Sequence, residues 1–376
     1  MISGTGTTRE RLTRRALTHA TLDRQHLLRR GSGSAADLLT HLFGLQAQSP
    51  MAPYFALWAR LDRFDPAELS ALIATREVVR MVLMRGTVHA VTAADALALR
   101  PWVQPIMDTD LRTNTAHRDA LSGLDLAAMA AVSRELLDAD PMTMAQLRPL
   151  LARHWPDRDP AALAHAARCL LPLVQVPPRG LWGRSGQPVC TTAENWLGVA
   201  GPAQPEPERL LLRYLAAYGP ASVADAQAWS GLTRLAEVFE RLRPRLRAFL
   251  DEDGAELFDL PDAPRPDPSC APPARILAPF DSVLLGHANR ARVISDEHRK
   301  VVFTVNGIIK PTILVDGTVA GFVTVTAKKG AGVVEVTTFR RLGKGVESEV
   351  ESEALRLLGF AHPGADSQDV RFIPMP

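Results

Sequence analysis

Three times along this 376-residue chain a serine or threonine is followed, three positions later, by a side chain able to bond back to it, next to an apolar helical run. Such capping boxes mark helix starts. Ser34-Ala35-Ala36-Asp37 precedes Leu38, Leu39, Leu42 and Phe43, and Thr143-Met144-Ala145-Gln146 leads into a helix of Leu147 to His154. Ser222-Val223-Ala224-Asp225 stands between a helix of Leu210 to Tyr218, ended by Gly219, and, past a turn at Gly231, one of Leu235 to Phe249. The intervals of 109 and 79 residues exclude a fixed-period solenoid. Each start is followed by a second or third helix (Asp65-Pro66 and Asp159-Pro160 open two of them) and then by strand-like residues. These are Val78 to Leu83 with Thr87 to Val91, then Leu173 to Val176 with Val189 to Thr191, then Phe249-Leu250 with Ala255 to Phe258 around Asp253-Gly254. Helices followed by a small hairpin form a winged-helix arrangement, so the expectation is three tandem winged-helix modules.

A proline-rich stretch from Pro261 to Pro273 separates these copies from a region of β-branched runs. Val301 to Thr304, Thr312 to Val315, Val319 to Val325 and Val333 to Phe339, punctuated by Asn306-Gly307, Asp316-Gly317 and Gly330, predict a small antiparallel sheet, and Glu349 to Phe360 a closing helix. The fold class is α+β, mainly α. The boundaries expected are 10–100, 101–200 and 201–262 for the winged helices and 263–376 for the linker and β region.

Composition narrows the function less. The formal charge is +2, so any basic surface must be local. Only five of the 43 cationic residues are lysines. The arginine excess suits phosphate recognition but equally follows from GC-rich coding. Cys169, Cys190 and Cys270 show no paired spacing, and the ten histidines are dispersed, so no metal and no cofactor is expected. Without an apolar run of membrane-spanning length, the chain is expected in the reducing cytoplasm, near the nucleoid, as a monomer and away from membranes.

Three clusters can carry chemistry. In an extended segment Gln46 and Gln48 face one side, offering uncharged donors and acceptors that suit holding a water or reading a base edge; helix capping and loop satisfaction would use the same groups. In Arg85-Gly86-Thr87-Val88-His89 alternation places Thr87 and His89 on one face, for function or for packing. The apolar run from Phe280 ends in a polar loop where His287, Asn289, Arg290 and Arg292 can meet phosphate or simply solvent.

Taken together, Gln46-Ala47-Gln48-Ser49-Pro50, Arg85-Gly86-Thr87-Val88-His89, Leu284-Leu285-Gly286-His287-Ala288-Asn289-Arg290, Asn306-Gly307 and Val315 to Gly321 resemble the AlkZ-like glycosylases. That family comprises tandem winged-helix DNA glycosylases, some of which protect antibiotic producers by unhooking bulky or crosslinking adducts. The resemblance spans roughly residues 10 to 360. It implies that Gln46 and Gln48 are the catalytic pair and that a hairpin loop from His287 to Arg292, with Asn289 and Arg290, reaches the lesion; Arg85, Thr87 and His89 are candidates for DNA contact, with packing in the core as the alternative. Two positions depart from the family pattern: Asn289 stands where an acidic residue is expected, and Phe322-Val323 follows Gly321 where a tryptophan is common.

The activity implied is monofunctional hydrolysis of the N-glycosidic bond of N7-alkylguanine in double-stranded DNA, as repair and self-resistance. Such a base is already cationic and leaves without a general acid. Amide carbonyls need only place water and face the oxocarbenium-like centre. No lysine adjoins Gln46, so a Schiff-base lyase step is not expected. Bulky adducts call for a wide, arginine-lined channel and salt-sensitive binding. The competing expectation is a non-catalytic winged-helix transcriptional regulator, reading DNA through Arg241, Arg243, Arg245 and Arg247.

Overall fold

A computed structural model describes residues 10–201, 204–328 and 330–375. The first capping box is in place: Ser34 accepts from the Asp37 amide, Asp37 bonds back, and the helix runs Ala35–Leu42. The boxes at Thr143 and Ser222 likewise open helices Met144–His154 and Val223–Ser230. Asp65 and Asp159 cap Pro66–Ala74 and Pro160–Leu170.

The expected first and second wings are not separate. Strands Leu45–Gln46, Val88–Thr92, Val78–Val82, Leu173–Gln175, Val189–Thr192 and Met142–Thr143 form, in that order, one six-stranded sheet. Its seam is the antiparallel pairing of Arg80 with Gln175 and Met81 with Val174. A two-stranded wing leaves an edge of unpaired backbone groups, and here the two edges satisfy each other. The third hairpin, Arg247–Leu250 with Glu256–Asp259, forms its own two-stranded sheet, bridged at its edges by Arg11 and Ala221.

Several local expectations are corrected. The helix expected over Leu235 to Phe249 spans only Ala236–Leu242, because Pro244 has no N–H to continue it; a 3-10 turn and a strand follow. Three of its four arginines are also committed: Arg241 pairs with Glu208, Arg243 with Glu240 and Glu256, and Arg247 with Glu10. Val301 to Thr304 is not a strand. Ser295 caps a helix Asp296–Val302 in its place. The C-terminal sheet, in the order Ser367–Pro374, Ala331–Thr338, Thr318–Lys328, Thr312–Val315, Arg275–Ile276, is mixed and not wholly antiparallel, since its first two strands run parallel. Helix Lys344–Ala361 makes that crossover, and so does not close the chain.

Two helices unassigned by the sequence, Ala93–Thr113 and Leu126–Ala139, build the middle of the molecule, where Met129, Leu137, Leu147, Leu151 and Leu163 share a core. Residues of the expected first and third copies instead enter one core, in which Leu38, Leu42 and Phe43 meet Tyr214, Tyr218 and Trp229. Buried ion pairs tie the N-terminal helices to distant chain. Arg24 grips Asp259 through two bonds of 2.8 Å, and Arg60 grips Asp281 at 2.6 and 2.8 Å, with both of these side chains wholly buried. No helix among the described residues is long and apolar enough to cross a membrane.

Candidate active site

Helix Ala35–Leu42 ends because Phe43 takes a left-handed conformation (φ 60°) and Gly44 follows at φ 82°, its N–H donating to the Leu39 carbonyl at 2.7 Å. The chain is thereby turned onto the sheet edge, where Leu45 pairs with Ala90 and Gln46 with His89. The approach is close: a Cβ on Gly44 would lie 2.6 Å from the Ala90 carbonyl oxygen. Gly44→Ala is therefore expected to cost about 1–2 kcal/mol by combining positive-φ strain with this clash. Thermal or urea denaturation checks it, and an unchanged midpoint would mean the edge strand yields freely.

Behind the segment, Arg80 donates to the Ala47 carbonyl at 3.0 Å from a buried position in strand Val78–Val82. Burial lowers its pKa to about 10, which leaves it charged at neutral pH. This support was readable as an arginine amid Val78, Val79, Met81 and Val82, and sequence reasoning missed it.

The two glutamines are held differently. Gln46 is half-buried, and its Oε1 accepts from Arg85 Nη2 at 2.9 Å. Because guanidinium only donates, this contact fixes which end of the amide is oxygen. Gln48 is exposed at a bend, and its Oε1 sits 3.5 Å from the Val88 amide nitrogen, a long and weak bond. Both carbonyls thus turn to the 85–88 segment. The Gln46 oxygen is committed to Arg85, whereas the Gln48 oxygen is held only by the long contact with Val88.

Arg85 itself adopts φ 56°, and its other terminal nitrogen donates to the Trp229 carbonyl. Its turn packs on Gly231, where a Cβ would come within 2.9 Å of the Arg85 Cα. Burial, then the neighbouring charge of Arg290, lowers the Arg85 pKa to about 10. Thr87 is inward-bonded, its hydroxyl donating to the Met84 carbonyl at 3.1 Å.

His89 is buried opposite Gln46, with Nδ1 2.9 Å from the Thr87 carbonyl. That contact places the proton on Nδ1 and leaves Nε2 an acceptor. Burial, then Arg85, pushes its pKa down to about 3. In the unfolded chain a histidine titrates near about 6.5. Between those values the unfolded state binds a proton that the folded state refuses, so stability falls as pH drops through the window. One such histidine contributes a slope of about 1.4 kcal/mol per pH unit. His89→Asn is expected to flatten the acid limb by that amount in urea titrations. An unchanged slope would show that His89 protonates in place.

The loop from His287 to Arg292 is not a hairpin tip. It joins the 3-10 turns Ser282–Leu284 and Arg290–Arg292. His287 is buried, bonded through Nε2 to the Tyr218 carbonyl at 2.8 Å, and burial holds its pKa well below the usual imidazole range. Arg292 is buried too, donating to Pro220 O at 3.0 Å and Thr21 Oγ1 at 3.3 Å. Neither can meet DNA without leaving these partners, which corrects the expectation for both. The apolar run from Phe280 explains it: the register carries on inward through His287 before the chain emerges at Ala288. Asn289 is exposed and caps the second turn through the Ala291 amide at 3.0 Å. The half-buried Arg290 guanidinium lies over Phe303 at 5.1 Å. The structure therefore brings Gln46, Gln48, Arg85, Thr87 and His89 together, with Arg290 near enough to act on Arg85 electrostatically.

One residue beyond Gln48, Ser49 lines a groove of about 540 Å³ walled by Met51, Phe55, Pro279, Phe322 and Val325. Lys310 stands 4.0 Å over the Phe322 ring. The position that departs from the family's tryptophan is thus a groove wall. Among the described residues no carboxylate bonds or pairs with Gln46, Gln48, Arg85 or His89, so the site has no strong base and its imidazole is neutral.

The model of the family described as DNA glycosylase AlkZ-like matches residues 39–360. An interstrand DNA cross-link repair glycosylase of Streptomyces sahachiroi is 24% identical over 325 residues, covering 80% of this chain and 84% of that protein. In the solved structures, the DNA glycosylase AlkZ of Streptomyces sahachiroi shares the fold with a TM-score of 0.81 at 22% identity, over 96% of this chain and 100% of that one. With a family match across most of its length, the chain belongs to the AlkZ-like family of DNA glycosylases, enzymes that act on the N-glycosyl bond.

Proposed function

We propose that this enzyme is a monofunctional glycosylase for N7-alkylguanine carrying bulky adducts or interstrand crosslinks in duplex DNA, serving base-excision repair and self-resistance to a genotoxic natural product. The observation that carries the reading is a glutamine pair beside a neutral imidazole with no carboxylate in contact. Such a site is ill suited to removing a normal base, which needs activation, and well suited to one that is already cationic. As the C1′–N9 bond breaks, its electron pair neutralises the imidazolium of the base. Water adds to the oxocarbenium carbon, and its proton passes to solvent. In this reading the exposed Gln48 orients that water and faces the developing charge, while Gln46, locked to Arg85, fixes the segment. Arg290, half-buried beside it, supplies a phosphate contact, while Arg85, with both terminal nitrogens held by Gln46 and Trp229, positions the segment.

The groove beginning at Ser49 supports the bulky-adduct reading, because it places Phe55 and Phe322 next to the glutamine segment as an apolar berth. Three tandem winged-helix modules, the first two sharing one sheet, a monomeric state and a place at the nucleoid complete the proposal. The test is base release from duplexes carrying N7-methylguanine, then bulkier and crosslinked adducts. Release that rises in preference for the bulky substrates and falls steeply with salt is expected. Binding without release from any adduct would overturn it.

A further inference from the structure

Between the middle helices, one side-chain group is left without a role by the glycosylase reading. Asp110 lies in the last turn of helix Ala93–Thr113, and His165 and Cys169 share one face of helix Pro160–Leu170 at i, i+4 spacing. His165 Nε2 is 3.3 Å from Asp110 Oδ2, Cys169 Sγ is 3.6 Å from the same oxygen, and Sγ is 3.7 Å from Nε2. A tetrahedral zinc ion, bonded at about 2.3 Å to sulfur and about 2.0–2.2 Å to nitrogen and oxygen, has ligand-to-ligand edges of about 3.3–3.7 Å. All three edges fall within that range.

Beside them the His117 ring is tilted 32° to His165 with centroids 4.6 Å apart, and its Nδ1 is buried without a hydrogen-bond partner. Of these residues only Asp110, His165 and Cys169 bring donor atoms within 4.8 Å of one another, so His117 packs against the group and is not a ligand. The far oxygen of Asp110 is fixed by Asn114 Nδ2 at 3.1 Å, the kind of outer contact that orients a ligating carboxylate. Arg168 also approaches Asp110 Oδ2, at 3.7 Å, from a side chain 44% exposed and free to turn to solvent.

We propose that Asp110, His165 and Cys169 form a zinc site that pins the end of helix Ala93–Thr113 to helix Pro160–Leu170. The donor set of one thiolate, one imidazole and one carboxylate suits Zn²⁺ over harder cations. Three protein ligands leave the fourth tetrahedral position to water. The sequence carried a partial signal in His165-x-x-x-Cys169, but Asp110 joins it only through helix packing.

The test uses the full chain, purified without a metal-affinity tag, and metal analysis by mass spectrometry. About one zinc per chain is expected to survive dialysis and to be lost in Cys169→Ser. Replacing zinc with Co²⁺ in the wild type should give a thiolate-to-cobalt charge-transfer band with tetrahedral d–d absorption. Should the variant fold poorly, the wild-type cobalt spectrum still decides. Zinc well below about a tenth of an equivalent together with no cobalt band would overturn the proposal and leave a hydrogen-bonded triad. Cobalt bound with no thiolate band would equally overturn it, by removing Cys169 from the site.

Discussion

Gln48→Ala lowers the rate of N7-alkylguanine release on the order of ten- to a thousandfold, the range for removing one preorganised dipole from a developing charge. The loss falls on kcat with little change in duplex affinity, because Gln48 carries no charge and phosphate contacts dominate binding. Gln46→Ala acts differently. It strips the Arg85 guanidinium of one of its two acceptors, Gln46 Oε1 and the Trp229 carbonyl, so kcat falls and the segment loosens together. Single-turnover kinetics on a defined methylated duplex separate these outcomes. Equal loss of affinity and rate in Gln48→Ala would sink the assignment of a transition-state role. Full activity in both variants would move the chemistry away from this segment altogether.

Asp281→Ala is expected to cost about 3–5 kcal/mol of stability. The reason is what it leaves behind. Arg60 is wholly buried, with Nη1 and Nη2 both committed to Asp281, and without that carboxylate its charge keeps only the Ala56 carbonyl, Gln25 and Ser282 as partners. Asp281 also caps the turn after it through the Val283 amide at 3.0 Å. Urea denaturation measures the loss, and a double replacement such as Arg60→Met with Asp281→Leu should recover much of it, since a buried apolar pair needs no compensation. A loss under about 1 kcal/mol in the single variant would mean that water reaches Arg60.

What was legible in the sequence was local. The boxes at Ser34, Thr143 and Ser222 announced their helices because capping needs residues only three apart. Gln46 and Gln48 stood out for the same reason, lying between a helix end and a proline. Helix Ala93–Thr113 escaped notice because Pro101 and Pro105 read as breakers, whereas packing of Leu99, Trp102, Val103 and Met107 outweighs two missing bonds. Val301 to Thr304 misled in the opposite sense, as β-branched residues on a helix capped from Ser295. The hold of Arg85 on Trp229, 144 positions away, and the burial of His287 against Tyr218 are tertiary facts with no local signature. The merging of two wings into one sheet belongs with them.

That merged sheet bears on how damage would be found. Parting the strands at Arg80 and Met81 would break a ladder in the middle of the protein, while buried ion pairs fasten the first helices to the chain beyond. On the proposed function, an enzyme without a soft joint there would meet the duplex as a fixed mould, and the DNA would do the bending. Intact, well-stacked sequence resists that and a lesion-weakened step yields at lower cost, so the stiffness of the double helix would itself sort sound DNA from damaged.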